Sequence, residues 1–252
     1  MIPGIPEQQL GYVLPVGVAD GVHHAFYSVC GLEVNMVGYP GVLAAFSRAD
    51  GERALESAWP AMEFLAERRV DRIVIGGLPV TTSAPPAFVH ELCAQATEHF
   101  GIPVISDAED TVMAVRALGA RRVALATKWS PDVVAGVREH LVDGGIEVVR
   151  DFALPHTAQQ VVALQPEEGF RIALELADGA LGTGDPVDCL VLGGGAWFVL
   201  PAIEQVEQRY GVPVVSNIAA SLWGFLDQIG RSPVTPGWGV LLDRLLVSST
   251  DA

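Results

Sequence analysis

The sequence predicts an α/β protein of two pseudo-symmetric lobes, each built on a parallel sheet, with an active-site cleft between them. Three observations carry this. Two apolar runs end in glycines, one from Asp71 through Ile73-Val74-Ile75 to Gly76-Gly77, the other from Asp188 through Leu190-Val191-Leu192 to Gly193-Gly194-Gly195. Glycines there let the backbone turn at the carboxyl end of a strand, where ligands of parallel sheets collect. The segment His99-Phe100-Gly101-Ile102-Pro103-Val104-Ile105-Ser106-Asp107 reappears as Arg209-Tyr210-Gly211-Val212-Pro213-Val214-Val215-Ser216-Asn217. A displacement of roughly 110 residues suits duplication of a small α/β unit and is too long for a solenoid repeat. Finally, strand-like and helix-like patterns alternate along the whole chain, as βαβ units require.

Leu10–Pro15 reads as the first buried strand, followed by a loop from Pro15 that carries His23 and His24; Leu32–Val37 alternates like a second strand. Gly51–Arg69 has apolar residues at mostly helical spacing and leads into strand Arg72–Ile75. Leu78–Pro86 is a polar, proline-stiffened loop, and Pro85-Pro86 starts a helix to about His99. Strand Ile102–Ile105, helix Ala108–Leu118 and strand Arg122–Thr127 follow. The second half repeats the pattern with helix Asp132–Leu141, strand Ile146–Leu154, helix Pro166–Ala177, strand Cys189–Leu192 and helix Leu200–Tyr210. The last helix, Ile218–Ile229, and the tail from Pro233 are expected to return to the first lobe, giving lobes of residues 1–117 plus 219–252 and 118–218.

Composition narrows the function. The 252 residues, half of them hydrophobic, can bury one large core or two modest ones, and no apolar run approaches the length of a membrane span. The amino terminus shows no basic region followed by an apolar core, so a cytoplasmic location is expected. A net charge of −15 argues against nucleic-acid or anionic-membrane partners. It does not exclude an acidic small molecule held by backbone N–H groups. Cys30, Cys93 and Cys189 are odd in number and widely spaced, which fits reduced thiols better than disulfides or a metal site. The glycine runs lack Gly-x-Gly-x-x-Gly spacing and no P-loop occurs, so no nucleotide cofactor and no metal are expected.

Leu118–Thr127, Gly211–Ser216 and Pro236-Gly237-Trp238-Gly239 resemble the aspartate/glutamate racemase superfamily, especially its arylmalonate decarboxylase and maleate isomerase branch. The resemblance covers nearly the whole chain, is strongest from Leu118 onward and is poor from Val16 to Ser47. It implies two Rossmann-like lobes and a cofactor-free site between them. It also implies a cysteine after one or both glycine-bearing strands, to move a proton beside a carboxylate or to attack a double bond. The matching positions are Gly77 and Gly194, so both cysteines are expected to be absent; Cys189 lies at the wrong end of its strand. The family's small hydroxyl residues correspond to Leu78 and Pro79, and the decarboxylase's tyrosine to Trp129, which leaves a larger, more apolar pocket.

With no thiol, His23, His24 and His156 become the candidate acid/base groups, because imidazole titrates near neutral pH and all three fall in rim loops. Asp20 or Asp132 could orient one of them. Pro15, Gly77, Leu78, Thr81, Thr82, Trp129, Gly194, Gly195, Ala196 and Trp197 are the candidate substrate-binding residues. Thr81 and Thr82 could instead cap a helix, and the two tryptophans could simply fill the interlobe core. Two functions compete: a cofactor-independent isomerase or lyase-like enzyme acting on a small organic acid or related carbonyl compound, and a catalytically silent protein that binds a small ligand. Histidines converging on Gly77 and Gly194 would favour the first, an apolar sealed cleft the second. Homo-oligomer formation stays open.

Overall fold

A computed structural model describes residues 5–195 and 197–248. The elements are β1 (Gln8–Val13), α1 (Asp20–Cys30), β2 (Val34–Tyr39), α2 (Arg48–Glu56), α3 (Ala58–Glu67), β3 (Arg72–Ile75), α4 (Leu78–Thr81), α5 (Pro86–Phe100), β4 (Val104–Ser106) and α6 (Asp107–Ala117). They continue as β5 (Arg122–Thr127), α7 (Pro131–Asp143), β6 (Glu147–Ala153), α8 (Ala158–Ala163), α9 (Pro166–Leu181), β7 (Cys189–Leu192), a 3-10 turn (Leu200–Ala202), α10 (Ile203–Tyr210), β8 (Val214–Val215), α11 (Asn217–Gln228) and α12 (Val240–Ser248).

The strands form two four-stranded parallel sheets of order β2-β1-β3-β4 and β6-β5-β7-β8. The second order is the first with every strand advanced by four, which is duplication expressed as topology. The repeated segment shows why both copies fold alike. Gly101 and Gly211 end α5 and α10 in the left-handed conformation, at φ +66° and +67°. Ser106 and Ser216 then cap α6 and α11 by accepting the backbone N–H three residues on. Helix α11 packs on α6 and α1, so these two equivalent helices meet at the centre of the molecule. Buried Arg72 holds this seam, donating to Asp110 on α6 at 2.5 Å and to Gln228 on α11 at 3.0 Å.

Several elements differ from the sequence expectation. The helix expected over Gly51–Arg69 is two helices, because Pro60 cannot continue α2 but is tolerated in the first turn of α3. The polar loop after Gly77 begins with the single turn α4, and α8 occupies what reads as loop, announced by a capping box between Thr157 and Gln160. His23 and His24 lie on α1 rather than in a loop, since that helix starts at Asp20. The tail touches both halves: the Val234 N–H donates to the Val29 carbonyl on α1, while α12 packs on α11 and β8. No helix among the described residues is long and apolar enough to cross a membrane.

Candidate active site

Residues that follow the carboxyl ends of β1, β3, β5 and β7 line one cavity, and a polar network joins the glycine loops there. Asp107, the first residue of α6, is fully buried. Its Oδ2 accepts from the Gly77 N–H at 2.6 Å and from the Asn217 Nδ2 at 2.7 Å; its Oδ1 accepts from Tyr12 and Ser221 hydroxyls, both at 2.8 Å. Asn217, the equivalent residue of α11, accepts the Gly194 N–H at 3.0 Å. Each half therefore ties its own glycine loop to the first residue of its own helix, and the two helix residues bond to each other across the pseudo-symmetry axis. Burial pushes the Asp107 carboxyl up, and its hydrogen bonds pull it back. The net direction is upward, and both N–H groups, which can only donate, fall on Oδ2, so that oxygen acts purely as an acceptor. Burial and the neighbouring Asp107 charge raise the Tyr12 phenol well above its ordinary value.

Beside this network is a small cavity lined by Tyr12, Pro15, Gly77, Leu78, Lys128, Trp129, Gly195, Asn217 and apolar side chains including Phe46 and Val161. Its volume is about 30 Å³, room for one or two water-sized groups. Admission of a small acid requires its walls to part. Lys128 supplies its one cationic side chain. The side chain is 2% exposed, its ammonium makes no hydrogen bond or ion pair among the described residues, and its Nζ lies 4.0 Å from the Trp197 ring centroid and 5.4 Å from that of Trp129. Burial drives its pKa well below the ordinary lysine value. The cation–π contacts act in the opposite sense, but at about 2 kcal/mol they are outweighed by a desolvation cost of several kcal/mol per ion. Of the chain's 15 Lys and Arg residues, Lys128 alone is lysine.

The glycines play a different part from the one expected. A Cβ on Gly193 would come within 2.6 Å of the Trp129 ring, and one on Gly194 would strike the Trp197 indole and approach Lys128 Nζ to 2.5 Å. At Gly77 the same atom would lie 2.5 Å from Pro15 Cβ. The space cleared at the strand ends is thus filled by the protein's own Lys128, Trp129, Trp197 and Pro15, and the pocket is smaller than the sequence suggests. Gly77 and Gly194 also hold φ of +92° and +146°, so a side chain at either position strains the backbone as well as crowding the site.

Pro15, Gly77, Leu78, Trp129 and Gly195 line the cavity, and Trp197 covers Lys128. Thr81 and Thr82 are buried and their hydroxyls donate to the Gly77 and Leu78 carbonyls within their own turn, so they stabilise α4 instead of facing a ligand. Ala196 lies outside the described residues. None of the three histidines reaches the cavity. His23 is held on α1 against the Ala19 carbonyl at 3.2 Å, and His156 turns back to the Leu154 carbonyl at 2.6 Å. His24 is exposed, packs on Phe198 and borders a separate gap of about 10 Å³ that shares only Gly195 with the Lys128 cavity. The helical start at Asp20 is the physical reason for the first pair. Asp132 caps its own surroundings, accepting from Arg48 and Ser130, and orients no histidine. Cys189 sits at the amino end of β7, and burial raises all three thiols, Cys30 to about 12. No cluster of three metal-ligating side chains occurs among the described residues.

Duplicated α/β lobes that close on a small site between glycine-bearing strand ends define a class of interlobe-site proteins. The chain belongs to the arylmalonate decarboxylase family, whose sequence profile matches residues 41–242. It is 30% identical over 159 residues to the arylmalonate decarboxylase of Bordetella bronchiseptica, spanning 63% of this chain and 65% of the relative. With the maleate isomerase of Nocardia farcinica it shares 27% over 204 residues, 81% of this chain and 78% of the relative. The match to the Geobacillus stearothermophilus maleate isomerase, 28% identical over 56% of this chain, spans about half of that relative, 54%. Among solved structures, a liganded double mutant of arylmalonate decarboxylase superposes with a TM-score of 0.81 at 22% identity, covering 94% of this chain and 99% of that one. A maleate isomerase variant of Pseudomonas putida with maleate gives 0.77 at 23% identity, covering 93% and 97%. At these identities the structures establish the shared fold.

Proposed function

We propose that the chain is a cofactor-independent isomerase or lyase that moves protons on a small organic acid or related carbonyl compound in the interlobe cavity, without the cysteines of its family. Gly77 and Gly194 take the two cysteine positions, and Lys128 is the proton-moving group. The observation that carries this is the placement of the only lysine, buried without an ionic partner among the described residues, against Gly194. An amine whose ordinary pKa is lowered by burial is poised to exchange protons nearer neutrality, as an arginine never does. Relatives named for decarboxylation of arylmalonates and isomerisation of maleate support an acidic substrate. A carboxylate entering beside Lys128 would also supply the missing counter-charge.

The second reading, a catalytically silent binding protein, draws on the small apolar cleft and on the absence of histidines from it. It leaves the desolvated amine unexplained, since an apolar ligand would be better served by an apolar side chain there. The test is a screen of small mono-, di- and oxo-carboxylic acids for thermal stabilisation, because a ligand of the folded state raises apparent stability under either reading. Each binder is then followed by proton NMR in deuterated water. Exchange, isomerisation or loss of carboxylate that persists after iodoacetamide treatment is expected. Binders that show no chemical change would establish the silent reading, and activity destroyed by alkylation would return the thiols to the mechanism.

A further inference from the structure

Resting on the same site, we propose that Lys128 is a nucleophile that forms an imine with an unhindered carbonyl carbon, so that the substrate class is short-chain oxo acids or aldehydes. Two independent observations place the chemistry. Lys128 lines the interlobe cavity, and its Nζ, set over the Trp197 ring, makes no hydrogen bond or ion pair among the described residues, so its lone pair has no competing partner once the proton has left. The indole Nε1 of Trp197 is buried without an acceptor among the described residues, and it occupies the same space beside Gly194 into which a Cβ would project. A buried donor with no partner costs roughly 1–3 kcal/mol and calls for an explanation. An amine beside an orphaned N–H is the pair that carbonyl addition needs: nitrogen adds to carbon while the donor meets the charge that develops on oxygen.

The step balances with water alone. The neutral amine adds to the carbonyl carbon, its proton passes to the oxygen, and the resulting carbinolamine loses water to give the C=N bond. Protonation of the imine nitrogen makes it an electron sink for the neighbouring bond. In a 3-oxo acid the C–C bond to the carboxylate would break, carbon dioxide would leave, and its electron pair would form an enamine. Water then protonates the enamine carbon and hydrolyses the imine, freeing the lysine. Burial favours the neutral amine required for the first step, and the apolar walls of Val16, Leu43, Phe46 and Val161 exclude bulk water from the imine.

The sequence makes the test unusually clean, because the only amines in the protein are Lys128 and the chain terminus. The full chain is incubated with glyoxylate, pyruvate, acetoacetate or propionaldehyde and treated with cyanoborohydride, whose hydride reduces any imine to a stable secondary amine. Peptide mass mapping then reads both sites, with the terminal amine as the internal positive control. The expected result is an adduct on Lys128 from at least one probe, completely lost in Lys128→Arg and Lys128→Met variants that retain native near-ultraviolet circular dichroism. Labelling of the terminal amine with Lys128 unmodified under every probe overturns the proposal. If small acids nonetheless stabilise that unlabelled protein and are turned over, the proton-transfer function stands and only the imine fails. An adduct on Lys128 with no turnover of any acid sinks that function and leaves the nucleophile.

Discussion

Lys128→Met is expected to lower turnover by at least about a hundredfold while making the protein more stable, by about 2–4 kcal/mol near pH 7. The two effects have one cause. The folded state holds an amine whose charged form it disfavours, whereas the unfolded chain carries the ammonium freely. A folded pKa lowered below the unfolded value means that the neutral form's stability is fully present above the ordinary lysine range and is lost as pH falls through the folded value. Methionine has similar length, no charge and good adaptability to an aromatic cage. Its advantage should therefore be greatest at neutral and acidic pH and should vanish as pH rises past the ordinary lysine range. In a chain of this size the gain corresponds to roughly 5–10 °C in Tm. Thermal unfolding of both proteins across pH, beside kinetics on a substrate from the acid screen, checks it. Loss of stability together with activity would mean that Lys128 is a structural residue.

The second large effect is expected at Asn217→Asp. The change removes the Nδ2–H donor to Asp107 and places a second carboxylate against it, in a buried site where no cationic side chain among the described residues hydrogen-bonds to either one. Leaving a buried charge without its partner costs about 3–5 kcal/mol, or on the order of 10 °C in Tm. Two facing carboxylates raise the pKa of one of them. The variant's deficit should accordingly shrink as pH falls from 8 toward 5, because a raised folded pKa gives stability that is present in acid and lost as pH climbs. The exchange Asp107→Asn with Asn217→Asp should recover much of the loss, since one acid and one amide again face each other across the pseudo-symmetry axis. If the exchanged protein is as unstable as the sum of its single variants, the pairing across the axis is not what matters.

The relation between those two residues was legible in the sequence, where Ser106-Asp107 and Ser216-Asn217 stand at the same place in a repeated segment. So were both parallel sheets, because the buried strands β3, β5 and β7 are short apolar runs beside turn residues and β2 alternates apolar with polar positions. The histidines misled for a physical reason. Proximity to a strand end in sequence says nothing about which way a side chain leaves a helix, and α1 points His24 outward. The triple glycine misled in a related way: a missing Cβ can admit a ligand or a neighbouring side chain, and here Trp129 and Trp197 from the protein itself take the room. Lys128 was visible by counting, since 14 of the 15 cationic residues are arginine. On the surface arginine serves as well as lysine. At a site where the group must shed its proton it does not. The burial of that residue belongs to tertiary structure, because Lys128 follows directly on β5 and only the fold closes Trp129 and Trp197 over it.

The measurement that bears most directly on the role of Lys128 uses its uniqueness. Protein grown with isotope-labelled lysine contains one labelled side chain, so its Cε and Nζ signals report on that residue alone at every pH. A titration midpoint well below the ordinary lysine range, and a signal displaced when a stabilising acid or oxo acid is added, is the predicted result. A signal that titrates like free lysine and does not respond to any ligand that stabilises the protein would contradict it.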